Sequence, residues 1–226
     1  MPSIIIVGAG PVGLVAAMLL DEAGVDCIVL EADETVSSDL RASTFHPPTL
    51  DMLEPYGVTE AVVAQGLKCP HWQIRMHETG ERVVFDLSVL ADETAHPYRL
   101  QCEQALLVEH LAIRLQHSAC VELRHGCKVV AAGESPGERA GGAWVDVSRD
   151  GKTERIHGRY IVGADGADSI IRREMNLEFT GSTHPTVNVL ASTPFDFAQA
   201  IEGLSNVSYC WHANGNFALL RLNGFW

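Results

Sequence analysis

Three glycines and one acid near the start of the chain have the types and spacing to hold a diphosphate. Gly8-Ala9-Gly10-Pro11-Val12-Gly13 forms a G-x-G-x-x-G turn, and Glu31 closes the next apolar run, with Ala32 after it. In such a turn the first glycine permits a tight reversal out of a strand. The second lets backbone approach a pyrophosphate with no Cβ in the way, and the third lets a helix pack closely on a sheet. Unpaired N–H groups at the helix start, here those of Val12 and Gly13 after Pro11, whose ring nitrogen carries no hydrogen, meet the phosphate charge together with the positive end of the helix dipole. The carboxylate of Glu31 can then accept both hydroxyls of an adenosine ribose and would repel a 2′-phosphate. The turn alone does not separate FAD from NAD.

These residues need a strand, a helix and a second strand to position them, and the sequence supplies all three. Ser3 to Val7 is a short β-branched run of the kind found in buried parallel strands. Leu14, Val15, Met18 and Leu19 with intervening alanines predict a helix that ends before Gly24. Cys27 to Leu30 predicts the second strand. Further on, helices are expected at about 49–54, 59–65 and 103–116. Strands are expected at His71 to Met76, Arg82 to Phe85, Val121 to Leu123, Lys128 to Ala131 and Trp144 to Ser148. One long strand from Thr153 to Val162 follows Asp150-Gly151, a strong hairpin signal. Three short strands are expected near Thr186 to Leu190, Val207 to Trp211 and Phe217 to Leu222.

A second strand-turn-helix pattern, Gly163-Ala-Asp165-Gly166-Ala-Asp168-Ser169, reads on its own as a capped helix start, with Asp165 or Asp168 as the cap. Taken with the first motif it changes the picture. The N-terminal glycine turn, Glu31 followed by Arg41-Ala42-Ser43, Gln101 before the Glu103 helix, and the G-A-D-G-A-D-S segment together resemble the N-terminal part of the single-component FAD-dependent aromatic hydroxylases, the para-hydroxybenzoate hydroxylase-like flavin monooxygenases. The resemblance implies FAD as cofactor and NAD(P)H as co-substrate. It places Gly8, Gly10 and Gly13 on the pyrophosphate, Glu31 on the adenosine ribose and Arg41 near the diphosphate. It also places Gln101 on the ribityl chain, the Val129 backbone on the adenine and Asp165 in the ribityl–pyrophosphate region. Arg41 taken alone would be a surface ion pair, and Gln101 a helix cap. The implied reaction hydroxylates an electron-rich, phenol-like ring with O₂ through a flavin C4a-hydroperoxide. No side chain is assigned as acid or base.

The implied fold is α/β: a Rossmann-like FAD-binding domain over 1–175, discontinuous and with a β insertion near 70–100. The start of a mostly antiparallel β-sheet substrate domain follows over 176–226. Tyr209 and Trp211 alternate with Ser208 and Cys210, so one strand face presents aromatic rings and is a candidate substrate surface. The Gly-Asp motif that the family carries further along is absent, and family members are longer, so the chain is expected to be the first part of a hydroxylase. A non-catalytic nucleotide-binding fragment and a flavin-dependent reductase stay open as alternatives.

Composition excludes other classes. With 29 acidic against 16 basic residues the formal charge is -13, a surface that repels nucleic-acid phosphates and anionic lipid. An anionic substrate would have to be met by local arginine, not by the overall field. No apolar run reaches the roughly 20 residues of a membrane span, and no basic segment precedes Ile4, so a cytoplasmic location is expected. The six cysteines form no C-x-x-C pair and read as free thiols of a reducing compartment. His110 and His117 share a helix face, and His71 and His77 lie near one strand, yet neither pair has partners for a metal site. A small aromatic substrate and O₂ are the expected partners, and the oligomeric state is open, a homodimer being one option.

Overall fold

The computed structural model describes residues 2–35, 42–135 and 142–226. Along the chain run β1 (Ile4–Val7), α1 (Pro11–Glu22), β2 (Cys27–Leu30), β3 (Thr44–Phe45), α2 (Pro47–Leu53), α3 (Val58–Gln65), β4 (Leu67–Cys69) and β5 (His71–Met76). Then come β6 (Arg82–Asp86), β7 (Arg99–Gln101), α4 (Gln104–Leu115), β8 (Val121–Arg124), β9 (Lys128–Glu134), β10 (Ala143–Arg149) and β11 (Lys152–Gly158). The order closes with β12 (Tyr160–Gly163), α5 (Ile170–Glu174), α6 (Phe197–Ala200), β13 (Val207–His212) and β14 (Gly215–Leu220). The chain divides into two compact units: Met1–Asp39 with Leu107–His184, and Leu40–Leu106 with Pro185–Trp226.

In the first unit a parallel sheet runs in the order β12-β1-β2-β8. All four residues of β2 are buried, which is why its sequence is unbroken Cys-Ile-Val-Leu and not an alternation. Helix α1 buries Gly13, Leu14, Ala17 and Met18, the one-sided stripe of a helix laid on a sheet. A second, antiparallel sheet runs β11-β10-β9. Its hairpin turns at Asp150 (φ 50°) and Gly151 (φ 73°), both left-handed as a type I′ turn requires. Ile5, Val7, Ile28 and Leu30 from the parallel sheet share one core with Val145 and Val147 from the antiparallel one.

The single strand expected from Thr153 to Val162 is two strands in two sheets. It breaks between Gly158 and Tyr160, where the chain leaves β11 and joins the edge of β1. A Cβ on Gly158 would lie 2.8 Å from Ile5 Cγ1, so only glycine allows the crossing this close to the core. The amides of Arg159 and Tyr160 then both donate to the Ser3 carbonyl, at 3.0 and 3.2 Å.

The second unit holds a sheet ordered β14-β13-β5-β6 and a smaller antiparallel one ordered β3-β7-β4. Strand β13 pairs in parallel with β5, Ser208 opposite Gln73 and Trp211 opposite Met76. This pairing joins segments far apart in sequence, and the division into units therefore differs from the boundary expected at 175/176. The expected strand at Thr186 to Leu190 does not form. Its Val-Asn-Val alternation mimics a strand, but no neighbour pairs with it, and Val187 and Val189 stand 87% and 90% exposed. All six cysteines are free, Cys120 half-buried and the rest buried. Among the described residues no helix is long and apolar enough to cross a membrane.

Candidate nucleotide-binding site

The glycine turn is built as its spacing requires, and each glycine has a different cause. Gly8 has φ of 100°, and a Cβ there would meet the Ala164 carbonyl oxygen at 2.4 Å. A Cβ on Gly13 would lie 1.9 Å from the Gly8 carbonyl oxygen, so the first turn of α1 can close only around a bare Cα. Gly10 is the exception. Its φ of -71° suits any residue, it is the N-cap of α1, and a Cβ would meet nothing within 4 Å. Neither backbone nor packing explains the missing side chain, whereas a ligand drawn close to the backbone does. Helix α1 has no side-chain cap, and Pro11 stands at its first position with Val12 70% exposed beyond it. Its leading amides are thus free for an anion.

Glu31 sits at the C-terminal end of β2 and reaches back to this turn. Its Oε2 accepts the Ala9 amide at 2.7 Å and its Oε1 the Asp33 amide at 3.0 Å. Each carboxylate oxygen retains a lone pair, enough for two ribose hydroxyls. Ala32 follows as an exposed bend. The turn between β8 and β9 is pinned to the same place: Glu31 N–H donates to the Arg124 carbonyl at 2.9 Å, and Cys127 N–H to the Glu31 carbonyl at 2.7 Å. Val129 lies just beyond on β9, the edge strand of its sheet, with its side chain in the core. Sequence reasoning passed over His125 in this turn, whose buried Nδ1 has no partner.

Asp165 follows β12, and its Cα would lie 3.1 Å from a Cβ on Gly8, so the two glycine-containing turns touch. Its side chain is committed to α5. Oδ1 accepts from Ser169 Oγ at 2.6 Å, and Oδ2 accepts from the amides of Ile170 and Ile171 at 2.7 and 3.3 Å. Ser169, not Asp165 or Asp168, is the N-cap, its hydroxyl accepting the Arg172 amide at 3.0 Å. The first unit thus brings together Gly8, Gly10, Gly13, Glu31 and Asp165.

Gln101, in the second unit, is fully buried on β7. Its Oε1 accepts from Thr44 Oγ1 at 3.0 Å, but its Nε2 has no partner. A buried amide donor left unpaired is costly unless a ligand oxygen receives it. Arg41 lies outside the described residues. Tyr209 and Trp211 share the exposed face of β13, 38% and 48% accessible, while Ser208 and Cys210 are buried behind them.

One group of ligand-type side chains among the described residues is close enough to hold a cation: Asp51, Glu54 and His96. Its members already satisfy one another. His96 Nδ1 lies 2.8 Å from Asp51 Oδ1 and Nε2 3.8 Å from Glu54 Oε1, and Thr94 Oγ1 donates to the same Asp51 oxygen at 2.7 Å. These bonds hold the Asp51 carboxyl below the usual carboxylate range. They clamp the loop that leads into β7.

Comparison with known proteins agrees with the geometry. A 6-hydroxy-3-succinoylpyridine 3-monooxygenase of Pseudomonas putida is 37% identical over 207 residues, 86% of this chain and 49% of the relative. The para-nitrophenol 4-monooxygenase of a Pseudomonas species is 30% identical over 210 residues, 92% of this chain and 50% of the relative. The crystal structure of a p-nitrophenol 4-monooxygenase from Pseudomonas putida superposes with a TM-score of 0.89 at 26% identity, over 100% of this chain and 56% of that one. The chain therefore spans about half the length of these relatives. The resemblance to FAD-dependent aromatic hydroxylases read from the motifs is borne out. Since the family model described as an FAD binding domain matches residues 1–220, nearly the whole chain, this protein belongs to that FAD-binding family.

Proposed function

We infer that the chain is the N-terminal part of a cytoplasmic FAD-dependent monooxygenase that hydroxylates a phenolic ring with NAD(P)H and O₂. Gly10 carries this reading: it is a glycine that nothing in the protein requires, at the amide-lined start of α1. The diphosphate of FAD is assigned to that start, its adenosine ribose to Glu31, its adenine to the backbone near Val129 and its ribityl chain to Gln101. Asp165 acts through position, holding α5 and the turn against Gly8. When bound, FAD supplies the redox chemistry that couples NAD(P)H oxidation to insertion of one oxygen atom into the ring. The protein orients the ring and excludes water, and the aromatic surface of β13 with Tyr209 and Trp211 is assigned to the substrate. The unit made of residues up to 39 and 107–184 is assigned chiefly to the cofactor, and the sheet of β5, β6, β13 and β14 to the substrate.

The test has two stages. The purified chain should take up FAD, seen as flavin absorbance that survives gel filtration. A longer polypeptide that adds the half present in its relatives should oxidise NAD(P)H faster when a phenol is added and should release hydroxylated product. A colourless chain that binds only NADH would overturn the reading.

A further inference from the structure

The larger sheet of the second unit is inverted with respect to an ordinary half-buried sheet. Its inner face buries polar groups: Gln73 Nε2 donates to Ser208 Oγ at 2.8 Å, and Arg75 donates to the Glu202 carbonyl at 3.2 Å, all three side chains at 6% exposure or less. Its outer face carries the rings. Trp72 and Phe85 stack at 4.0 Å between centroids, and Tyr209 meets Trp72 edge-on at 5.8 Å. An exposed aromatic face over a polar interior calls for something to cover it.

Arg99 tells what chemistry that is. It projects from β7, with its guanidinium 4.4 Å from the centre of the Trp72 ring, and its Nη1 donates to Tyr209 Oη at 3.1 Å. Among the described residues no carboxylate pairs with it, although acids outnumber bases 29 to 16 in this chain. A cation held on aromatic rings without an acid keeps unused N–H donors in a fixed fork. Tyr209 accepts from Arg99, so its own hydroxyl proton is free to donate outward. The two side chains therefore offer convergent donors beside a ring surface. Nearby, burial and the Arg99 charge hold the His46 imidazole below its usual pKa.

We propose that Arg99 and Tyr209 form a recognition site for the ionised oxygen of an aromatic anion, an arene carboxylate or phenolate whose ring lies on the exposed face of β5 and β13. Calling that anion the substrate rests on the monooxygenase reading above. The binding site itself does not.

The experiment is equilibrium binding to the purified chain by titration calorimetry, with benzoate, 4-nitrophenolate and the neutral benzamide as probes, and with flavin content measured on each sample. Either anion should bind roughly tenfold or more tightly than benzamide. Comparing benzoate with 4-nitrophenolate tells whether the site prefers a carboxylate or a phenolate. Arg99→Met should remove the preference over benzamide, Arg99→Lys should keep part of it, and Tyr209→Phe should weaken anion binding. Equal binding of benzoate and benzamide, no saturable binding of either anion, or an undiminished preference in Arg99→Met would overturn the proposal. Flavin content separates the two readings. A flavin-free chain that still prefers anions would sink the monooxygenase reading alone, and a flavin-loaded chain without the preference would sink this one alone.

Discussion

The carboxylate of Glu31 accepts the amide of Ala9 at 2.7 Å, so the acid that ends the second strand is bonded to the middle of the glycine turn. One side chain both fixes the shape of the turn and faces the place where a ribose would lie beside it. In the proposed reading, order at the turn and affinity for an adenine dinucleotide are linked through this one residue.

The three glycines separate stability from binding. Gly13→Ala forces a Cβ against the Gly8 carbonyl and should destabilise the flavin-free chain by about 1–3 kcal/mol. Gly10→Ser should leave that stability unchanged or raise it, because serine is a preferred N-cap and the space is open. The same substitution should weaken FAD binding by about tenfold or more, since the new side chain occupies the approach to the helix start. Urea unfolding and a flavin fluorescence titration read the two effects independently.

Asp165 is expected to act on the fold first. Asp165→Ala removes acceptors for the Ser169 hydroxyl and for the amides of Ile170 and Ile171, and should cost about 1–2 kcal/mol. Asp165→Asn keeps an acceptor oxygen and should cost less. Equal losses for the two substitutions would show that the charge of Asp165, and not its acceptor geometry, matters here.

The clamp at His96 makes the second unit acid-sensitive in a defined direction. Bonds from His96 and Thr94 lower the Asp51 pKa below its ordinary value of 3.8. The folded state then binds fewer protons than the unfolded one. The contribution is complete above about pH 4 and is lost as the pH falls through the lowered folded pKa. Thermal midpoints measured from pH 6 down to pH 3 should fall, and Asp51→Asn should flatten that fall while lowering the midpoint at neutral pH.

The thiols should be slow to react. Burial pushes Cys27, Cys69 and Cys102 up to about 11, so little thiolate forms at pH 8. In native protein a disulfide reagent should modify Cys120, the half-buried thiol, first. Cys120→Ser should remove the fast phase, and denaturant should release all six.

What the sequence disclosed was mostly local. The first strand, helix and second strand lie within one short segment, and the causes of Gly8, Gly13 and Glu31 are contacts along that segment or to the turn it meets. Asp150-Gly151 likewise announces its own hairpin. Three features depend on partners that no local pattern names. Residues 153–162 carry one strand-like signal, yet the approach of Ile5 to Gly158 divides them between two sheets. Thr186 to Leu190 has a strand's composition and lacks a neighbour. Arg99 meets Trp72 and Tyr209 only because β5 pairs with β13 in parallel, a register set by burial of Gln73 against Ser208. The one sign available earlier was charge: an acidic chain must keep a dedicated arginine for any anion it binds.

The most direct test is a paired titration of FAD and FMN into the chain and its Glu31→Ala variant. FMN lacks the adenosine that Glu31 is assigned to hold. Wild-type chain should bind FAD far more tightly than FMN, and the variant should lose most of that difference. If FMN binds the wild type as tightly as FAD, or Glu31→Ala leaves the difference intact, the assignment of the glycine turn and its acid to an adenine dinucleotide is wrong.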